Sequence, residues 1–297
     1  QCEALAKIIM PNTVTGIGEA AFFGCTMLEQ FKIPENTGMI QNYTFYGCTK
    51  LSSVTFAENL TAVGESAFQN CVALNNMVIP ASVVDIGKRA FSGCEKMESV
   101  ILPSQISKIA DYTFSGCKNL KMVQLSDGMT TIGAYAFENC NSLSEITIPE
   151  TIVEIQDFAF TNCAAVNRID FKGDAPQIGT NAFTGVTATC YYPADNASYT
   201  PEITTQDFGG NLIWTYEGKT EEEDKCGENL TWKLAEDGKL VITGTGRMFD
   251  YSIADYQYAP WYEQRTEITS IEIDNNVTYI GNYAFYRCNK VSDEKTE

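Results

Sequence analysis

The chain has 297 residues, 44% of them hydrophobic and 11% aromatic, which is enough apolar material for a large folded core. Its 20 Lys+Arg stand against 38 Asp+Glu, a net charge of −18, and it contains no histidine. That acidity is repelled by phosphate backbones and anionic lipid, which excludes nucleic acid and anionic membrane as partners; the missing imidazole excludes His-dependent triads and typical catalytic zinc.

No apolar run approaches the length of a membrane span, so no membrane insertion is expected. Cys2 stands 23 residues before Cys25, already in repeat register, so the chain is expected to be a piece of a longer protein. The repeat is anchored by Phe22, Phe45, Phe68, Phe91, Phe114, Phe137, Phe160 and Phe183, each 23 residues from the next. With phenylalanine as position zero, Ile or Val stands at −5 in every unit, from Ile17 to Ile178. Position −1 is Ala or Thr, and +3 is Cys in seven of the eight units. Offsets of −5, −1, 0 and +3 share one face of a helix, which predicts a short helix in each unit. Apolar side chains then alternate at +9 and +11, as in Val100/Leu102 and Ile146/Ile148, which predicts a strand. Pro34, Pro80, Pro103 and Pro149 close it, as residues without an amide proton should.

One unit cannot enclose its own apolar face, and a stack of units can. A period of 23 lies within the leucine-rich-repeat range, with a parallel β-helix as the competing architecture. The helical spacing of the anchor segment favours the former. The pattern Ile-Gly-x-x-Ala-Phe-x-x-Cys-x-x-Leu-x-x-Ile-x-Ile-Pro, seen entire at 132–149, resembles the BspA-like leucine-rich repeat family. The resemblance covers residues 2 to about 186 and returns at 268–291. It implies an α/β solenoid, curved, with a parallel sheet on the concave side and short helices on the convex side. It further implies a cell-surface or secreted, non-enzymatic interaction protein, with adhesion the usual role, from a gut or oral bacterium.

The array breaks at 184–190, where Val186 replaces the expected cysteine. Residues 187–217 are expected to form a C-terminal cap, since a solenoid must cover its last open edge. The charged stretch 218–225 reads as a linker. From Cys226 to 297 a second module is expected: a β-hairpin turning at Asp237-Gly238, an aromatic stretch, then one repeat with Phe285 and Cys288 in register.

Nine of the 11 cysteines occupy the +3 slot. Equivalent side chains of a solenoid run parallel, which strains a bridge, so a ladder of buried reduced thiols is expected. Cys190 and Cys226 lie outside the slot and could bridge the cap to the linker. No Cys-x-x-Cys, phosphate loop, nucleophile elbow or dinucleotide fingerprint occurs; no metal, cofactor or catalytic residue is expected.

What remains is a surface. Between the core positions of each strand, the side chains at offsets +8 and +10 should be exposed. These supply the candidate binding face: Lys32, Thr55, Asn76, Val78, Ser99, Ile101, Met122, Gln124, Glu145, Thr147, Arg168 and Asp170. Val78, Ile101 and Met122 make the middle of this face apolar with a polar rim, which suits a protein ligand bound by a monomer. Tyr43, Tyr112, Tyr135 and Phe158, at −2, either line an outer ridge or pack against the neighbouring helix. Tyr256, Tyr258, Trp261 and Tyr262 either form a glycan platform or cover the open end of the second array. A structural spacer within a larger surface protein is the third alternative.

Overall fold

The structure, a computed structural model, describes residues 2–75, 78–194, 196–217, 225–235, 237–252, 259–262 and 264–291. The chain divides into two compact units, Gln1–Glu217 and Gly218–Glu297.

In the first unit the 23-residue coils stack on one another with like pieces in register, although the coil of Phe68 has no first-ladder strand among the described residues. The alternating segment forms a short parallel strand, as in Gln30–Lys32, Ser53–Thr55, Ser99–Ile101, Met122–Gln124, Glu145–Ile148 and Arg168–Phe171. Register is one coil to the next, with Gln30 opposite Ser53, Ser99 opposite Met122 and Glu145 opposite Arg168. A second parallel ladder runs along the solenoid through very short strands that end at the −5 position, such as Ala62–Val63, Lys108–Ile109 and Glu154–Ile155. The chain is therefore a parallel-strand solenoid with two ladders, a feature it shares with the β-helix architecture.

The short helices expected from the anchor spacing are not present. The segment from −3 to +6 is a run of consecutive turns, and among the described residues only Pro201–Thr204 is α-helical. The physical reason is the backbone at −2 and +2. At −2, Tyr43, Ser66, Arg89, Tyr112, Tyr135 and Phe158 all have φ between 53° and 62°. At +2, Gly47, Asn70, Gly93, Gly116, Asn139 and Asn162 are also left-handed. A right-handed helix cannot pass through two such positions so close together. The left-handed turns instead aim alternate N–H groups along the solenoid axis: Phe22 N donates to Thr44 O at 2.9 Å, and Gly24 N to Tyr46 O at 2.8 Å. The amides between close turns within the coil, as Cys25 N does on Phe22 O. Each left-handed non-glycine residue costs roughly 1–2 kcal/mol, offset here by hydrogen bonds that tie every coil to the next.

The inward face of the turns is as the spacing predicts. All eight anchor phenylalanines are buried, and their rings stack in one column with centroids 5.2–5.7 Å apart and planes within 3–10°. Beside it runs a column of free, buried thiols. From Cys48 to Cys163 each donates to the anchor carbonyl one coil back, Cys71 Sγ to Phe45 O at 3.1 Å and Cys94 Sγ to Phe68 O at 3.3 Å. That carbonyl already accepts the turn amide, so the thiol uses its second lone pair. Where −1 is threonine, the buried hydroxyl is satisfied within the turn: Thr44 Oγ1 donates to Gln41 O at 2.7 Å, and Thr113 Oγ1 to Ala110 O at 2.8 Å. Burial pushes the Cys48 and Cys117 thiols from their usual 9.0 up to about 12.

After the last anchor the longer strands Thr187–Pro193 and Asn211–Glu217 extend the first ladder in parallel. Phe183 N donates to Phe208 O at 3.0 Å, so a residue outside the repeats accepts the bond the next coil would have accepted. Phe171, Tyr192, Tyr199, Phe208 and Trp214 pack together there.

In the second unit the strands Leu230–Leu234 and Lys239–Gly244 pair antiparallel through the turn at Asp237-Gly238, and Ser270–Ile273 adds to the second of them in parallel. Its core holds Cys226, Leu230, Leu240, Ile242, Trp261 and Ile268. Cys190 and Cys226 are each buried as free thiols in the core of their own unit.

Candidate functional site

On the first ladder each strand buries its +9 side chain, and most expose the neighbours on either side, so the face consists of two parallel rows, +8 and +10. Lys32, Thr55, Ile101, Gln124 and Thr147 lie along the +10 row, and Met122 and Glu145 along the +8 row, all exposed; Val78, also exposed, holds the same repeat offset outside a strand and borders a hollow with Ile101. Ser99 is half-buried, and Asn76 lies outside the described residues. Neighbouring coils of the same row are about 4.8 Å apart, so side chains one repeat apart in sequence act as one surface.

Three shallow hollows open along this face. Lys32 and Thr55 border one of about 470 Å³ with Glu29, Gln30 and Ser53. Val78 and Ile101 border a second, of about 490 Å³, whose floor is Ile79, Leu102 and Pro103. Met122, Gln124, Glu145 and Thr147 border a third, of about 520 Å³, with Asp127, Glu150 and Lys172. The middle hollow is the apolar one. Val78 is 87% exposed, Ile101 58% and Met122 51%, a concentration of large apolar side chains on successive coils. Other exposed apolar side chains of the first unit include Ile9, Val153 and Ile213.

Arg168 and Asp170 do not join this surface as the alternation predicted. Asp170 is only 8% exposed. Its carboxylate accepts both Arg168 Nε at 2.7 Å and Arg168 Nη2 at 2.6 Å, a bidentate pair within one strand. The same guanidinium lies 4.0 Å over the Tyr191 ring, so both charges are committed to the end of the array and offer little to a ligand. Elsewhere on the array, ion pairs link successive coils: Lys88 with Asp111, Lys118 with Glu95 and Lys121 with Glu98. Asp127, Glu145 and Glu150 have no ion-pair partner among the described residues.

Trp261 is not available as a glycan platform. It is fully buried, its Nε1 donates to Ala284 O at 2.8 Å, and its ring stacks on Phe285 at 5.7 Å. A ring with both faces inside a core cannot lie on a sugar. Tyr262 is half-buried with Arg265 4.0 Å over its ring, while Tyr256 and Tyr258 lie outside the described residues. On the turn side, Arg89, Tyr112, Tyr135 and Phe158 form their own column of stacked, half-buried side chains, with Tyr112 and Tyr135 at 4.6 Å and 3°. From Arg89 to Phe158 the side chains at −2 thus meet each other across coils along an outer ridge, whereas Tyr43 meets Tyr46 of its own coil.

The rim at +13, which carries Asp127 and Glu150, was not singled out by the strand pattern because it lies beyond the proline. Lining up the repeats would have shown it. Among the described residues no cluster of His, Cys, Asp or Glu has a geometry that could hold a metal ion, and no helix is long and apolar enough to cross a membrane.

Solved structures to which the chain is similar include bacterial leucine-rich repeat proteins. A leucine-rich repeat protein of Bacteroides ovatus is 22% identical over 94% of this chain and 69% of its own, with a TM-score of 0.57. A leucine-rich repeat protein of T. pallidum is 27% identical over 58% of this chain and 70% of its own, at 0.42. A leucine-rich cell surface protein of Faecalibacterium prausnitzii is 20% identical over 69% and 70%, at 0.33. None of the curated proteins matches. The BspA type leucine rich repeat region matches in six copies, over residues 1–98, 84–194 and 257–295, and the chain belongs to that family.

Proposed function

We propose that this member of the BspA-type repeat family is a non-enzymatic, cell-surface or secreted binding scaffold. Its ligand is a protein on a host or neighbouring cell, and the strand face of the first unit is where that protein docks. The observation that carries this reading is the run of exposed Val78, Ile101 and Met122 on neighbouring coils, the first two beside one hollow and Met122 beside the next. Water-exposed apolar side chains gathered at one place gain from being covered, and a polar rim keeps the uncovered surface soluble. Residues 187–217 serve as the cap that ends the array, because their aromatic cluster and the Phe208 carbonyl take over contacts that a further coil would make.

The test is retention of the intact protein on cells, with Val78→Asp and Ile101→Asp combined. Both positions are exposed, so the melting temperature should be unchanged while retention falls at least tenfold. Full retention by a folded double variant would contradict the reading.

A further inference from the structure

At offset +13 from each anchor phenylalanine the chain leaves the strand, and the side chains there form a row along the rim of the face. In the first six units the row reads Glu35, Glu58, Ala81, Ser104, Asp127 and Glu150. It is acidic except at Ala81 and Ser104, and those are the two coils that place Val78 and Ile101 on the face. The rim therefore opens an uncharged window over the apolar hollow and closes it with carboxylates on both sides.

Resting on the reading of this face as a protein-binding surface, we propose that its occupant is an extended segment of the partner protein in which an apolar side chain is flanked by lysine or arginine. The apolar side chain enters the hollow between Val78 and Ile101, floored by Leu102 and Pro103. The basic residue reaches the next acidic hollow, where Asp127, Glu145 and Glu150 converge. These carboxylates are exposed and hold no ion pair among the described residues, whereas Glu95, Glu98 and Asp111 on the same array each hold a lysine of a neighbouring coil. Lys172, the one basic side chain lining that hollow, lies 4.0 Å from Asp170 and so is drawn toward the end of the array.

Spacing agrees with the chemistry. The two hollows are two coils apart, about 10 Å at the separation of neighbouring strands. A segment extended as polyproline II advances about 3.1 Å per residue with about three residues per turn, so an apolar and a basic residue about three positions apart lie on the same side of it. The net charge of −18 draws such a segment in from a distance, while the apolar window sets its register.

The probe is a set of three fluorescent peptides of equal length, titrated against the whole chain by anisotropy. The first has a leucine with a lysine about three positions to either side; the second has serine for the leucine, and the third glutamate for both lysines. The first peptide is expected to bind, more weakly as salt rises, with the other two at least tenfold weaker. Ile101→Asp should weaken the first peptide tenfold or more, as should Asp127→Lys combined with Glu150→Lys. The doubly reversed protein should also gain affinity for the glutamate peptide, a result that loss of fold could not produce. No binding by the first peptide, equal binding by the glutamate peptide, or indifference to either set of substitutions would overturn the proposal. Cell retention that falls with Val78→Asp and Ile101→Asp but not with the charge reversals would leave the docking face standing and remove this partner chemistry. Retention indifferent to every one of these substitutions would remove the face itself.

Discussion

The two units solve one packing problem with different means. In the first, Phe91 lies between two like rings, Phe68 at 5.5 Å and Phe114 at 5.7 Å, and its backbone N–H donates to Thr113 O at 3.0 Å. In the second, the ring beneath Phe285 is Trp261, and the hydrogen bond to Ala284 O, the carbonyl equivalent to that of Thr113, comes from the indole Nε1 at 2.8 Å. The lattice therefore asks for an aromatic face and a donor at fixed points, and does not require the repeat sequence to supply them. Phe208 shows the complementary case, giving its carbonyl to Phe183 where no further repeat exists.

Replacing the improvised rung should do the greatest damage. Trp261→Ala removes a buried ring and orphans a buried carbonyl, a loss of about 3–5 kcal/mol for the ring alone. Hydrogen exchange should show the amides of Leu230–Leu234 and Lys239–Gly244 unprotected while those of the first unit stay protected. Protection retained in both strands would mean that the indole is not the rung proposed here. Phe114→Ala, in mid-array, breaks two stacked contacts and should cost about 3–5 kcal/mol by urea unfolding, without touching protection in the second unit. A smaller loss comes from Gly133→Ala, whose new Cβ would sit 2.7 Å from Ile109 O and 2.9 Å from Ala110 C; overpacking against backbone costs about 1–3 kcal/mol.

The thiol column provides a pH-dependent difference between the units. Folding raises the pKa of Cys48 and Cys117 to about 12 and of Cys226 to about 11, against 9.0 in the unfolded chain. A raised pKa means that the folded state holds its protons more tightly, so this stability is complete below pH 9 and is lost as pH rises through about 11 to 12. The urea midpoint of the first unit should fall in that window, and Cys48→Ala with Cys117→Ala should flatten the fall, tyrosine ionisation being common to both proteins. An unchanged slope would mean that the thiols do not carry it. At the small end, Ile101→Asp should shift stability by no more than about 0.5 kcal/mol, since its side chain is exposed.

Much of this was legible in the order of residues. An unbroken spacing of 23 located the core at Ile132, Ala136, Phe137, Cys140, Leu143, Ile146 and Ile148, all of them buried. It misled on backbone, because side chains at −5, −1, 0 and +3 face inward equally well from a chain of turns. The signal against a helix was at +2, where Gly24, Gly47, Asn70, Gly93, Gly116, Asn139, Asn162 and Gly185 tolerate a left-handed conformation. The sequence left Trp261 between a glycan platform and a cover for the second array; its burial on Phe285 fits the cover, while its place one position out of register with Phe285 hid the rung it forms. The burial of Asp170 depends on a guanidinium folding back along its own strand, which alternation does not describe.

The central claim is that residues which repeat build the solenoid, and that recognition belongs to the strand-face positions where the repeat varies. A photo-crosslinking side chain placed in turn at Thr55, Val78, Ile101, Gln124 and Thr147 on the strand face, and at Tyr46 and Tyr135 on the turn face, tests it directly on intact cells. The account predicts a crosslinked partner from positions 78 and 101, fading toward 55 and 147, with none from 46 or 135. A partner captured from the turn face, with the strand face silent, would contradict it.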